Sequence, residues 1–191
     1  MTTIVKGEHR RLTLRQQKGR AVNAVAEVLR KKLLVPNIYL EPRSPYIAAD
    51  VLAVDRAGSG DLHAVEIRME IEFVRTPAPP ADTPGAGWIL HLRKGKMKEI
   101  HAHIMSVAAH YKYLAIPQGI RDVLVDGLGD LLYSPDGIGR IGIIAIVDRG
   151  DEPPTAELSI APERFRVDPV KLHNIEKKLL EKVRPDIEVR I

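Results

Sequence analysis

The chain of 191 residues contains no cysteine, which excludes disulfides and thiolate metal sites without fixing a compartment. Long apolar runs are also missing. No stretch approaches the roughly 18 residues needed to cross a bilayer, so no membrane partner is expected. The N-terminus shows no apolar segment of the secretory kind, and a cytoplasmic location is the expectation. Familiar catalytic signatures are absent too: there is neither a GxxxxGKS/T loop nor a GxSxG elbow. The GIGRIG run at 137–142 lacks the preceding strand and the spacing of a dinucleotide fingerprint. His101, His103 and His110 lack the spacing of HExxH, and His103 and His110 would lie roughly 10 Å apart along a helix. They read as surface or partly buried helix histidines.

The residues that are present describe a globular chain. Apolar residues at 45% and charged residues at 28% suit one domain spanning 1–191, large enough to bury a core. The net charge of +4 conceals an asymmetry. Between Met1 and Pro36 lie nine cations, among them Arg15, Lys18 and Arg20, against only Glu8 and Glu27. A second basic cluster holds Arg93, Lys94, Lys96 and Lys98. Localised positive charge suits a phosphate backbone, because each neutralised phosphate releases counterions. A solvated basic surface has the same composition, so charge alone names no partner.

Periodicity orders the rest. Residues 1–14 read as extended or loosely ordered, with LTLR a candidate short strand. From Gln16 to Leu34 the apolar stripe Val22, Val25, Leu29, Leu33 predicts an amphipathic helix, with Glu27 off the stripe. A strand around Ile38–Leu40 and the turn EPRSP follow. The stretch from Tyr46 to Phe73 then reads as two strands joined by RAGSGD, whose glycines supply the turn. In the second strand Val65, Ile67, Met69, Ile71 and Phe73 alternate with Glu66, Arg68, Glu70 and Glu72, the pattern of a half-buried strand. Residues 75–87 carry four prolines and two glycines, so 74–90 is expected to be a mobile loop ending near a short WILHL strand. Further on come a helix through Ile100, Ile104 and Val107 to about Tyr111, a strand YLAIP, a short helix IRDVLVDGL and a buried strand Ile141–Val147. Residues 150–163 read as loop. A last amphipathic helix starts at Asp168 and Pro169, and IEVRI is a candidate terminal strand.

This order, with AADVLAVD supplying Asp50 and HAVEIR supplying Glu66, Ile67 and Arg68, resembles the PD-(D/E)XK nuclease-like superfamily over residues 15–148. HYKYLAIP and GIGRIGIIAIVD resemble the helix-to-strand step and the Gly-flanked strand that follow the site in such proteins. The resemblance implies an α/β fold, a restriction-endonuclease-like mixed central sheet flanked by helices, with 149–191 as a C-terminal helical extension. It implies a magnesium-dependent endonuclease acting on nucleic acid, DNA in the first instance. Phosphodiester hydrolysis needs a hard cation to polarise the phosphoryl oxygen and lower the pKa of the attacking water. Mg2+, or Mn2+, would take Asp50, Glu66 and the Ile67 carbonyl, and the resemblance adds Glu27 as a helix ligand. Arg68, two residues beyond Glu66, could hold the scissile phosphate.

Arg68 stands where the family carries lysine. Arginine keeps the charge and grips phosphate with two hydrogen bonds, but it is no base near neutral pH. A lysine from Lys94, Lys96 or Lys98 could substitute, or the site could be inactive. The alternative function is then a catalytically inactive nuclease-fold protein serving as a nucleic-acid-binding or assembly subunit. A plainer reading makes Glu66, Arg68, Glu70 and Glu72 the solvated face of an edge strand. Tyr111 and Tyr113 suit base stacking or an apolar helix end equally. Self-association as a homo-oligomer is left open.

Overall fold

The computed structural model describes residues 2–6, 13–35, 37–40, 49–55, 60–77, 88–92, 94–124, 132, 139–149 and 152–182. A strand, β1 (Thr2–Lys6), lies in the N-terminal stretch, and α1 (Leu14–Lys32) follows. The LTLR strand does not form, since Leu14 and Arg15 already belong to that helix. Thr13 sets its start. The Thr13 hydroxyl oxygen accepts the Gln16 N–H at 3.3 Å, while Gln16 Oε1 accepts the Thr13 N–H at 2.9 Å. Reciprocal capping of this kind satisfies amides that the first turn leaves over. Val22, Val25 and Leu29 are buried as their spacing predicts, and Ala21, Ala24, Ala26 and Val28 widen the stripe.

Beyond the other end of α1, Leu34 takes the left-handed conformation at φ 55° with its side chain 77% exposed. A β-carbon is strained there, and so exposed a side chain returns little packing. Leu34→Gly is therefore expected to raise stability by about 0.5–1 kcal/mol. The check is a higher urea midpoint at unchanged slope; a lower midpoint would show that the leucine makes contacts worth more than the strain.

Three strands, β2 (Asn37–Leu40), β3 (Val51–Val54) and β4 (Leu62–Ile67), pair antiparallel in succession. The chain continues through β5 (Glu70–Pro77), β6 (Trp88–Leu92) and α2 (Lys94–Ser106) to β7 (Tyr111–Pro117), which lies parallel to β4. After α3 (Gln118–Leu124), β8 (Gly142–Val147) lies parallel to β7, and β9 (Thr155–Ile160) closes the sheet antiparallel to β8. A fourth described helix, α4 (Pro169–Lys182), follows. The result is a six-stranded mixed sheet in the order β2-β3-β4-β7-β8-β9, with β1, β5 and β6 in a separate three-stranded sheet.

Helices cover both faces of the larger sheet. On one face α1 packs over Val51, Ala53, Val65, Ile67, Tyr113, Ala115, Ile144 and Ile146. On the other, Ile100 and Ile104 of α2 and Ile120 of α3 meet Leu114, Ile116 and Ile143. Ile175 and Leu179 of α4 cover Leu52, Val54, Leu62 and Ala64. The chain is thus mixed α/β. No described helix is long and apolar enough to cross a membrane.

Several expectations change. The run from Val65 to Phe73 is not one half-buried strand: every residue of β4 is buried, and the chain leaves the sheet at Arg68 and Met69 to enter the smaller one as β5. Of the expected mobile loop at 74–90, residues 74–77 and 88–90 are paired strand, with Arg75 opposite Leu90 and Pro77 opposite Trp88; residues 78–87 lie outside the described set. α2 ends at Ser106, so Tyr111 and Tyr113 are strand residues rather than a helix end. Within the expected 150–163 loop lies β9, an edge strand only partly covered. The C-terminal helix forms as expected, with Asp168 Oδ1 accepting the Val170 N–H at 2.9 Å, while IEVRI lies outside the described residues.

Candidate functional site

The parallel strands β4, β7 and β8 end together, and in α/β sheets the crevice beyond the carboxyl ends of strands is where ligands bind. Glu66 sits at that end of β4, and Asp50 sits immediately before β3, alongside it. Asp50 is locked to β4 twice. Its N–H donates to the Val65 carbonyl at 2.9 Å, and its Oδ2 accepts the Ile67 N–H at 2.7 Å. Its other oxygen, Oδ1, meets Lys18 Nζ of α1 at 2.6 Å. Glu66, only 7% exposed, has Arg68 Nη2 at 2.9 Å from Oε1 and His103 Nε2 of α2 at 3.2 Å from Oε2. The two carboxylates are therefore tied to opposite helical layers at the point where both layers reach the end of the sheet.

Electrostatically the two acids work against each other. Burial pushes the Glu66 carboxyl above its ordinary range, and the negative charge of Asp50 pushes it further; Arg68, His103 and Lys18 pull it back. A divalent cation between the two would relieve that repulsion. Two carboxylates and a carbonyl are hard oxygen donors of the sort magnesium takes, with water and substrate phosphate completing its shell. The Ile67 carbonyl points to the same side as its N–H, toward Asp50, because both groups of a strand residue face one neighbour. Among the described residues no three His, Asp or Glu side chains gather closely enough to hold a metal by themselves. The donor set thus fits a partly hydrated Mg2+ and not a closed cage. Arg68 Nε is buried without an acceptor among the described residues, a donor left over beside the acids.

The structure brings Asp50, Glu66, Ile67 and Arg68 together and leaves Glu27 out. Glu27 pairs with Lys31 at 2.6 Å and Arg30 at 3.2 Å on its own helix, nine residues and about 13 Å of helix rise beyond Lys18, so it does not serve this pocket. The solvated-face reading also fails for Glu66, which α2 encloses. Of the basic residues, Lys18 is the partner of Asp50. Arg20 bonds the Glu152 carbonyl and lies 3.9 Å from Asp148, just beyond β8, so the first half of α1 borders the same end of the sheet. Arg15 and Lys98 are exposed on α1 and α2. Lys94 and Lys96 open α2, but their side chains lie outside the described set, as does Arg93 altogether. His103 was hidden from the sequence: nothing in its spacing shows that α2 lays it against Glu66.

A second polar network closes the opposite end of β4. Asp61, 5% exposed, is gripped by Arg164 at 2.9 Å, with His110 Nδ1 3.4 Å away. That nitrogen accepts the Leu62 N–H at 3.0 Å, and burial holds the His110 pKa below its ordinary value. His63 Nδ1 lies 2.9 Å from the Tyr113 hydroxyl, and its ring stacks on Tyr111 at 4.7 Å between centroids. Nearby, Lys112 is buried, pushed down to about 8, and donates to the Met105 carbonyl at the end of α2. Each of these polar groups meets another part of the same chain, so the network pins the 161–168 segment to the sheet.

Compared with known proteins, the chain is matched by no family model, no curated protein and no solved structure.

Proposed function

We propose that the chain is a restriction-endonuclease-like protein that hydrolyses DNA phosphodiesters with a bound divalent cation. The observation that carries this reading is the part-buried Asp50 beside the buried Glu66, set on neighbouring strands at the carboxyl end of β4, with Lys18 on one acid and Arg68 on the other. The order of the elements around the larger sheet supports it: a helix, three antiparallel strands and, after β5 and β6 of the small sheet, a helix and a strand returning parallel to the third. Asp50, Glu66 and the Ile67 carbonyl would hold Mg2+ or Mn2+. When bound, the ion supplies Lewis acidity at the phosphoryl oxygen and a more acidic water. Arg68 would grip the scissile phosphate, with its unpaired Nε turned to a phosphoryl oxygen. Arg15, Arg20 and Lys98 would follow the flanking backbone as phosphate contacts.

The test is incubation of supercoiled plasmid and of single-stranded oligonucleotides with the purified protein and Mg2+ or Mn2+. Cutting that EDTA suppresses is expected; intact DNA across all conditions removes the hydrolase reading. One observation favours a second reading, an inactive nuclease-fold protein acting as a nucleic-acid-binding or assembly subunit. Arg68 occupies the lysine position and lies on Glu66 Oε1 while His103 lies on Oε2, so both oxygens are engaged. Such a protein would bind DNA with steeply salt-dependent affinity and leave it uncut.

A further inference from the structure

We propose that Lys18 is the site's resident counter-ion, its ammonium held against Asp50 where the divalent cation sits, so that metal uptake requires Lys18 to let go. The inference rests on the metal-site reading above and adds a residue to it. Of the two Asp50 oxygens, Oδ2 is committed to the Ile67 N–H at 2.7 Å, which leaves Oδ1 as the oxygen a metal would use. Lys18 Nζ occupies that oxygen at 2.6 Å. An ammonium at that oxygen cancels the charge that would draw a metal ion and repels a second cation, so Lys18 and the metal compete for Asp50. The pair is also mechanically unequal. Asp50 is 15% exposed and fixed by two hydrogen bonds to β4, whereas Lys18 is 35% exposed on a flexible four-carbon stem. The lysine is the partner that can leave.

Its charge reaches the second acid as well, since Lys18 is among the cations that draw Glu66 toward its ionised form. The Glu66 oxygens meet Arg68 and His103, so letting go of Lys18 opens the Asp50 oxygen and leaves the contacts of Glu66 to be exchanged separately. Once displaced, the ammonium remains on the side of α1 that carries Arg15, one turn earlier, beside the path proposed for the nucleic-acid backbone. The same side chain then serves two states, guarding the carboxylate without metal and meeting phosphate with it.

Titration of the full-length protein with Mn2+, followed by the free-ion electron paramagnetic resonance signal and by calorimetry, tests this without any cleavage assay. Lys18→Met is expected to bind Mn2+ about two- to fivefold more tightly than wild type, the factor set by losing one partly exposed ion pair. Lys18→Arg, which keeps the competing charge, is expected to stay near wild type. Asp50→Asn should abolish the gain when combined with Lys18→Met. A melting curve for each metal-free variant confirms that it is folded. Equal or weaker Mn2+ binding by a folded Lys18→Met overturns the counter-ion role while leaving the metal site standing. Absence of Mn2+ binding in both wild type and Lys18→Met removes the metal site itself.

Discussion

On the proposed hydrolase reading, Asp50→Asn and Glu66→Gln are each expected to lower Mg2+-dependent DNA cleavage by about a thousandfold, with the double variant hardly worse than either alone. Both substitutions keep the volume of the side chain. In Asp50→Asn the amide would still offer an oxygen to the Ile67 N–H, so the strand end is preserved and the loss is one of charge. Lewis-acid stabilisation of a phosphoryl transition state is worth several kcal/mol, and each 1.36 kcal/mol or so is tenfold in rate. Two groups holding one ion act as a unit, which is why the effects should not add. Rates of plasmid nicking measured alongside melting temperatures separate loss of chemistry from loss of fold. Undiminished cutting by either variant would place the activity elsewhere in the preparation.

Stability should fall by about 3 kcal/mol between pH 7.5 and pH 4 through His63 alone. Burial beside Tyr111 and Tyr113 of β7 is the main reason its pKa is pushed down to about 4; Asp61 and Asp55 offset part of the fall, and His110 adds to it. Above pH 6.5 the imidazole is neutral in folded and unfolded chains alike and contributes no pH dependence. Between pH 6.5 and about 4 the unfolded chain takes up a proton that the folded one refuses, so unfolding gains, and the loss is complete near pH 4. His110, also lowered, acts in the same direction. Glu66 acts oppositely: its carboxyl is raised in the folded state, so its destabilising charge is relieved as pH falls through its folded pKa. His63→Gln, whose amide can still bond the Tyr113 hydroxyl, isolates the histidine. Urea unfolding of wild type and variant across this range should give stability curves that converge toward acid. Parallel curves would show that His63 is not the group responsible.

Local features carried most of what the sequence disclosed. The α1 stripe is visible because burial on one helix face repeats every three to four residues, and Thr13 and Gln16 sharpen its start by only two residues. The neighbouring placement of Asp50 and Glu66 is visible because the glycines of RAGSGD signal a turn between two apolar runs, and the two strands do pair antiparallel. Alternation along β4 tells which side chains share a face but not what covers that face, so the burial of Glu66 under α2 was illegible. Lys18 and His103 reach the acids from helices on opposite faces of the sheet, contacts that only tertiary packing makes. The small sheet was invisible for a related reason: β1 pairs with β5 across about seventy residues of chain, and neither strand announces its partner. At β9 the signal itself is weak, since an edge strand with one neighbour buries few side chains.

The joint at Arg68 and Met69 gives the small sheet leverage over the pocket. Two residues are all that separate the last rung of β4 from the first rung of β5, and one of them is the arginine on Glu66. Its N–H is anchored to the Ala115 carbonyl of β7 at 2.9 Å, so the backbone there is a fulcrum rather than a free tether. The two sheets are thus joined through a pair of residues that is itself anchored to β7, and the guanidinium on Glu66 belongs to that pair.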